Sequence, residues 1–486
     1  MKLSFYGGVN EIGGNKFLLE DKETKIFLDF GKNFMIENRF FDFPLVQPFY
    51  IPDLEKTGAI PAISSLYRDA NAPYRKAGTK PVDGILLTHA HMDHYGYIPL
   101  IRGDVPIFLG KATVDIINIR SETYAATWGS KTGHIKHVET FHSNDLKECK
   151  NISFKPVHVD HSIPASYAYI IYGTKTVAYT GDLRLHGYKK ELTKDFIAEL
   201  EKNEVDVLLC EGTNIVSERD DLFLKNFEQE LMRRKQNPPK RTLLPCKSED
   251  EVLEKMKGIV NDMRGLVIIE TNPADIDRIR TIFNVASLTK RKLVLTPKQS
   301  YLVHALEAIG DIKELPKLND FCLYLDRVRK RQGEEWEEAF NESYRQDYQR
   351  TMIDKCKDVL HDEEGREELR KNGDEYIICT DNATKRFQEL KPTSGTFPCN
   401  YILSKSEPFT EEMMITFDKL LNWLIISGIT EYHQLHVSGH ASKDDLKKII
   451  DAANPKTIIP IHTEHPELFK KFGNVRIPTM NGMMEI

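Results

Sequence analysis

Thr88-His89-Ala90-His91-Met92-Asp93-His94 follows directly on Gly84-Ile85-Leu86-Leu87, and the reading of this stretch decides the fold. An apolar run preceded by Pro81 and Asp83 reads as a buried strand. The histidines therefore emerge where a strand ends, which is where open α/β sheets bind ligands. In extended backbone, side chains two apart point the same way, so His89 and His91 converge on one ion. If the chain then turns into a helix, Asp93 and His94 are redirected toward a second position. Neutral imidazole and carboxylate are ligands for zinc and the neighbouring divalent metals. A polar loop carrying surface histidines is the alternative, but it does not explain why ligand residues return further along the chain.

The 486 residues suggest two or three domains with ample core. Charged residues make up 29% and hydrophobic ones 40%, an ordinary globular balance, and the net charge is -6. That argues against a surface coated in basic charge, although a local basic channel for nucleic acid is compatible with it. The seven cysteines are scattered and form no Cys-x-x-Cys pair. Reduced thiols of a cytoplasmic protein fit this better than a disulfide framework or a cysteine zinc site. Met1–Tyr6 runs straight into a glycine-rich loop, so no signal peptide is expected. No stretch of about eighteen apolar residues occurs, so neither a transmembrane helix nor a membrane partner is expected.

Residues 1–30 read as two strands, Lys2–Tyr6 and Lys16–Glu20 continuing through Lys25–Asp29, joined by Gly7-Gly8-Val9-Asn10-Glu11-Ile12-Gly13-Gly14-Asn15. That loop suits a tight hairpin or a phosphate cradle. Residues 32–80 read as an irregular excursion. Val105–Leu109, Phe154–Val159, Ala168–Tyr172, Lys175–Thr180 and Val205–Cys210 are strand candidates, and Lys111–Thr127 has helical spacing. After about 215, Leu243–Pro245, Gly265–Glu270 and Lys292–Leu295 alternate with helical patterns, which predicts a second α/β unit. Its charge-dense segment 326–371, with Trp336, Tyr344 and Tyr348, reads as solvated helix. Ligand residues return at His436-Val437-Ser438-Gly439-His440-Ala441 and Ile459-Pro460-Ile461-His462. The organisation predicted is a metal-bearing domain, residues 1–215 plus 431–486, interrupted by an inserted domain, residues 216–430.

Two further positions complete a metal site. Asp160-His161 follows one strand, and Tyr179-Thr180-Gly181-Asp182 ends another. A carboxylate with two free oxygens spans the roughly 3.5–4 Å between paired ions in two-metal hydrolases, which makes Asp182 the natural bridge. His89, His91 and His161 then hold one ion, and Asp93, His94 and His462 the other.

These residues resemble the metallo-β-lactamase family: the His-x-His-x-Asp-His motif, His161, Asp182 in Thr-Gly-Asp, and Asp29 after Ile26-Phe27-Leu28. The resemblance implies an α/β fold, an αββα sandwich with metals at one sheet edge, and a supporting rather than ligating role for Asp29. Glu211, His440 in Ser-Gly-His, and His462 resemble the three signature positions of the β-CASP nucleases, a branch defined by an inserted α/β domain; a histidine at the last position points to RNA. The start of the chain, Asp160-His161-Ser162-Ile163-Pro164 and His-Val-Ser-Gly-His-Ala are similar to the RNase J family. Thr271-Asn272-Pro273-Ala274 departs from the Ala-Ser-Asn-type turn of many relatives. Because the chain ends soon after His462, the extra C-terminal domain of many bacterial members is expected to be absent, as in the shorter archaeal type.

The resemblance implies a ribonuclease of RNA processing and decay that uses two divalent ions, zinc with manganese or magnesium as alternatives. A metal-bridging hydroxide would hydrolyse RNA phosphodiesters by in-line attack. The catalytic residues would be His440 as acid toward the leaving 3′ oxygen, Glu211 orienting it, and the ligands Asp93 and Asp182. His436, Ser438, Gly439, Ala441 and Ser442 would bind substrate. The activity implied is 5′-to-3′ exonuclease, with endonuclease action alongside, on 5′-monophosphorylated single-stranded RNA; a homodimer is compatible with it. An endonuclease-only RNA 3′-end processing factor, a small ester or thioester hydrolase of the same fold, and a non-catalytic scaffold are the rival readings. His134, His137, His142 and His158 read as structural, and His304, His361, His433 and His465 as surface or core. His186, four residues past Asp182, is near enough in sequence to approach the site.

Overall fold

Gly84–Leu86 forms a fully buried strand, and the chain turns at His91 into the short helix Met92–Tyr95. The computed structural model describes residues 1–41, 50–68, 80–123, 137–217, 230–309, 314–326, 328–332, 335–339, 346–391, 397–406 and 411–486. They form two compact units, Met1–Ser217 with Gly439–Ile486, and Glu218–Ser438.

The first unit is built on two sheets. One has seven strands in the order Met483–Glu485, Lys2–Phe5, Phe17–Asp21, Thr24–Leu28, Gly84–Leu86, Ile107–Gly110, Val138–Phe141. The other has six, in the order Thr457–Ile461, Val207–Glu211, Thr176–Tyr179, Ser166–Tyr172, Ile152–Val159, Lys147–Cys149. Aromatic pairs join their inner faces: Phe17 meets Tyr179 at 5.9 Å, Phe108 meets Phe154 at 5.2 Å and Phe141 meets Tyr169 at 6.0 Å. Such edge-to-face pairs add about 0.5–1.5 kcal/mol each beyond the area they bury. Helices Lys190–Glu201 and Lys443–Ala453 cover the outer face of the six-stranded sheet. There Phe196, Leu200, Leu446, Ile449 and Ile450 pack on Val157, Ile170, Leu208 and Cys210. This is the αββα layering expected from sequence.

Strand direction gathers the functional residues. Val207–Glu211 runs parallel to both Thr176–Tyr179 and Thr457–Ile461, so Asp182, Glu211 and His462 leave three adjacent strands at the same edge. Ile152–Val159 and Thr176–Tyr179 are each antiparallel to Ser166–Tyr172, which brings His161 to that edge too. In the other sheet, Thr24–Leu28 and Gly84–Leu86 are parallel and end at Asp29 and Thr88-His89.

The N-terminal reading needs one correction. Lys16–Glu20 and Lys25–Asp29 are not continuous; a turn at Lys22 (φ 53°) separates Phe17–Asp21 from Thr24–Leu28. The excursion at 32–80 is also less irregular than expected, since it contains helices Phe34–Phe40 and Ile51–Thr57. The helix predicted over Lys111–Thr127 runs Lys111–Thr123, and its last predicted residues lie outside the described ones.

The second unit holds an eight-stranded sheet in which every pairing is parallel. Its order is Lys240–Leu243, Glu431–Gln434, Cys399–Leu403, Leu266–Glu270, Tyr376–Thr380, Lys292–Leu295, Phe321–Tyr324, Val359–Leu360. Because Glu431–Gln434 pairs with Lys240–Leu243 and Cys399–Leu403, the chain returns to the first unit at Ser438/Gly439, later than the 430/431 boundary read from sequence. Segment 326–371 is not simply helix. It forms the hairpin Val328–Gln332/Glu335–Ala339, helix Asp347–Lys355, the short strand Val359–Leu360 and helix Asp362–Lys371. Tyr344 lies outside the described residues. Among the described residues no helix is long and apolar enough to cross a membrane.

Candidate metal centre

His89, His91, His161 and Asp182 form one group that could hold a metal ion, and Asp93, His94, Asp182 and His462 a second that shares Asp182. In the first, His91 Nδ1 lies 3.0 Å from both His89 Nε2 and His161 Nε2. Asp182 Oδ2 is 3.6 Å from His89 Nε2 and 4.0 Å from His161 Nε2. In the second, the same oxygen is 3.0 Å from His94 Nε2 and 3.8 Å from His462 Nε2. Asp93 Oδ2 is 3.2 Å from His462 Nε2 and 3.8 Å from His94 Nε2. A tetrahedron with zinc–nitrogen bonds of about 2.0–2.1 Å has edges of about 3.3–3.4 Å. The observed separations bracket that edge, as donor atoms around a divalent cation should.

Hydrogen bonds behind the rings fix which nitrogen faces the centre. His161 Nδ1 donates to the Gly439 carbonyl at 2.5 Å, and His94 Nδ1 to Asp29 Oδ2 at 2.7 Å. Thr88 Oγ1 gives its one proton to Asp29 Oδ2 at 2.8 Å, so it accepts from His89 Nδ1 at 2.9 Å. His462 Nδ1 meets Thr213 Oγ1 at 2.8 Å. Four imidazoles thus commit Nδ1 outward and leave Nε2 as the ligand atom, the arrangement that orients metal-binding histidines. The donor set fits a divalent metal ion, and the cluster is a divalent metal-binding site.

Charge agrees with this. Burial depresses the His89, His91 and His161 imidazoles, His91 to about 3, so they are neutral at pH 7. Burial also acts on His94, but Asp182, Asp29 and Asp93 outweigh it and hold that ring well above its ordinary value. With no cation bound, a proton on His94 therefore places positive charge among the carboxylates. Burial would raise Asp182, yet His462, His94 and His440 overcome it and hold the carboxyl well below its usual range.

Local backbone explains the geometry. His462 and Asp29 sit at φ 50° and 56°, the left-handed region that histidine, aspartate and asparagine enter more readily than other residues with a side chain. His462 N–H donates to Gly8 O at 2.8 Å and Asp29 N–H to Leu86 O at 2.9 Å, which hold the two turns. The loop 7–15 is a long hairpin connection packed against the ligands: a Cβ on Gly13 would lie 2.9 Å from Asp93 Cβ. Lys16, fully buried, donates to Gly14 O at 2.6 Å and Gly31 O at 2.9 Å, bracing that loop.

A third group adjoins the second ligand set. His440 Nδ1 lies 3.4 Å from Glu211 Oε1 and 3.8 Å from Asp182 Oδ2. Burial lowers the His440 pKa, but Glu211 and Asp182 raise it further, to about 9. Glu211 is fully buried and accepts N–H bonds from Leu183 at 3.4 Å, Thr213 at 3.1 Å and Ala441 at 3.4 Å. The arrangement can therefore present a protonated imidazole beside a metal site.

The remaining sequence candidates differ in surroundings. Gly439 has no room for a side chain, since a Cβ would lie 2.8 Å from Ser162 Oγ and 3.3 Å from His161 Cε1. Ser442 Oγ caps helix Lys443–Ala453 by accepting Asp445 N–H at 3.1 Å. In the second unit, His436 Nδ1 is 3.3 Å from Arg278 Nη1, and Ser438 is half-buried. His186 turns to Asp445, with Nδ1 3.8 Å from Oδ2. His158 stacks on Tyr167 at 4.9 Å, and His134 lies outside the described residues. The sequence reading missed Thr88 and Thr213. The one signal available was that each stands beside a ligand or acid, in Thr-His-Ala-His and Glu-Gly-Thr.

Residues 59–224 match the β-lactamase superfamily domain, and residues 429–471 match the Zn-dependent metallo-hydrolase RNA specificity domain. The layered sheets and the histidine–aspartate centre agree with these two likenesses, each of which covers part of the chain. Ribonuclease J 2 of Streptococcus pyogenes is 24% identical over 479 residues, covering 96% of this chain and 70% of that protein. Ribonuclease J of Pyrococcus abyssi is 24% identical over 481 residues, covering 96% of this chain and 90% of that protein. A crystal structure of a protein of unknown function from Enterococcus faecalis V583 has the same fold, with a TM-score of 0.68, 23% identity and 99% of each chain covered. Over nearly its whole length the chain is similar to ribonuclease J proteins.

Proposed function

We propose that this chain is a metal-dependent ribonuclease of the ribonuclease J kind, hydrolysing phosphodiester bonds of single-stranded RNA from a 5′-monophosphorylated end, with endonuclease action alongside. The observation that carries the reading is the Glu211–His440 pair, 3.4 Å apart and next to the shared ligand Asp182. A buried carboxylate that keeps an imidazole charged is what expulsion of a poor alkoxide leaving group calls for. The match of residues 429–471 to an RNA specificity domain spans both His440 and His462 and supports the same reading.

His89, His91, His161 and Asp182 would hold one divalent ion, zinc in this reading; Asp93, His94 and His462 with Asp182 would hold the other. Such ions supply Lewis-acid polarisation of a phosphate and activation of water near neutral pH. His440 carries the proton that leaves with the 3′ oxygen, from Nε2, while Nδ1 stays toward Glu211. With a pKa raised to about 9, it is charged at pH 7 before reaction. His436, Ser438, Gly439, Ala441 and Ser442 are kept as substrate-binding residues in this proposal. Seven unpaired cysteines support a reducing, cytoplasmic setting.

The test is His440→Ala. RNA cleavage should fall by roughly 10²–10⁴-fold, as for loss of a general acid, while metal content is unchanged. Unaltered cleavage would remove His440 from the mechanism.

A further inference from the structure

Thr213 stands between the acid and a metal ligand. Its Oγ1 is 2.8 Å from His462 Nδ1 and 3.1 Å from His440 Nδ1. The two rings stack with centroids 5.4 Å apart and planes at 29°. The threonine backbone is fixed as well. Thr213 N–H donates to Glu211 Oε2 at 3.1 Å, and a Cβ on Gly212 would lie 2.6 Å from the Phe469 ring and 3.0 Å from Thr463 Cβ. The hydroxyl is therefore delivered to one spot.

A hydroxyl has one proton and two lone pairs. With Nε2 given to a metal ion beside Asp93 and Asp182, His462 would carry its N–H on Nδ1, and Thr213 would accept it. That leaves a lone pair and the proton. His440 Nδ1 at 3.1 Å and the His462 carbonyl at 3.5 Å are the partners within reach. When His440 is charged, its Nδ1–H lies between Glu211 Oε1 and the free lone pair of Thr213, and the threonine proton turns to the carbonyl. When His440 has given up its proton from Nε2, the same Nδ1–H contact persists. One oxygen thus sets the ring planes of both imidazoles.

We infer that Thr213 is a positioning residue whose single hydroxyl ties the ligand His462 to the acid His440, linking ion retention at the Asp93–His94–His462 set to the alignment of the proton donor. For its catalytic half, the inference rests on the proposed ribonuclease reading; its metal half does not.

The experiment compares Thr213→Val, which keeps the shape and removes the hydroxyl, with Thr213→Ser, which restores it, in the full chain. Zinc affinity is read by competition with a chromophoric chelator, and RNA cleavage is read as kcat and KM at saturating zinc. The valine variant should lose about 10–100-fold in affinity for the weaker-bound zinc, as for loss of a hydrogen bond that orients a ligand. At saturating zinc its kcat should still be about tenfold lower with KM unchanged. Serine should restore both. In a His440→Ala background, Thr213→Val should still weaken zinc but leave residual kcat alone. Wild-type zinc affinity and kcat in the valine variant would overturn the inference. So would a loss that serine fails to restore while both variants melt earlier by the same amount. If wild-type protein with zinc bound cleaves no RNA, the ribonuclease reading fails, and the zinc-affinity comparison still decides the role of Thr213.

Discussion

Asp29→Asn removes one charge from the layer behind the metal ligands and changes little else. Asp29 is fully buried and accepts four hydrogen bonds. Oδ1 takes Thr88 N–H at 2.8 Å, and Oδ2 takes Thr88 Oγ1 at 2.8 Å, His94 Nδ1 at 2.7 Å and the Tyr179 hydroxyl at 2.5 Å. All four partners are donors. Asparagine has the same shape and tolerates the φ of 56° at this position, so the backbone is not the variable. An amide, however, has one acceptor oxygen and two N–H groups. With its oxygen toward His94 and Tyr179, the NH2 group opposes Thr88 N–H; flipped, it opposes three donors. Removing one partner of a buried charge-assisted network costs about 3–5 kcal/mol. Loosening the His94 ring should also cost roughly 10–100-fold in metal affinity. Thermal unfolding of the metal-free variant and zinc competition against a chelator read the two effects separately. Wild-type values in both assays would refute the argument that Asp29 fixes the His94 ligand atom.

Other outcomes follow from the same geometry. The proton held on His94 in the metal-free protein must leave when a cation takes Nε2, so zinc binding at pH 7 should release protons. Calorimetry in two buffers of different ionisation enthalpy would detect this, and buffer-independent heats would contradict it. His440 has a folded-state pKa raised from 6.5 to about 9, so its contribution to stability is full below 6.5 and lost as pH rises through about 9. The melting temperature of metal-free protein should fall across that window, and an unchanged or rising value would count against the Glu211–His440 pairing. Gly439→Ala puts a methyl 2.8 Å from Ser162 Oγ and 3.3 Å from His161 Cε1. It should cost about 1–3 kcal/mol and displace a ligand ring, seen as lowered stability together with lowered zinc occupancy. In the second unit, Arg278 and Glu249 form a buried pair at 3.1 Å, so Arg278→Leu should destabilise by about 3–5 kcal/mol in denaturant unfolding.

The site was more legible in the sequence than the fold around it. His89, His91, Asp93 and His94 lie in one stretch, and His161, Asp182 and His462 each follow an apolar run, so strand ends could be recognised without knowing strand order. Thr88 and Thr213 were not legible as site residues. A threonine after a strand is common, and its role here comes only from which nitrogen faces it. Tyr376–Thr380, Cys399–Leu403 and Phe321–Tyr324 were missed because strands buried on both faces of a parallel sheet lose the polar–apolar alternation and read like buried helix. Val328–Gln332 and Glu335–Ala339 misled differently. Arg, Lys, Gln and Glu are good helix formers, and the antiparallel register of the two segments is invisible without the pairing. The 430/431 boundary came out early because Glu431–Gln434, an apparent start of the metal-bearing segment, completes the sheet of the second unit.

The most direct test of the central claim is cleavage of end-defined RNA by the full chain, first stripped with chelator and then resupplied with zinc or manganese. The substrates are 5′-monophosphorylated, 5′-triphosphorylated and circular RNAs of one sequence. The account predicts no cleavage in chelator and, on adding metal, mononucleotide release from the monophosphorylated strand, with any endonuclease action appearing as opening of the circle. Intact RNA in all three, with zinc shown to be bound, would contradict it.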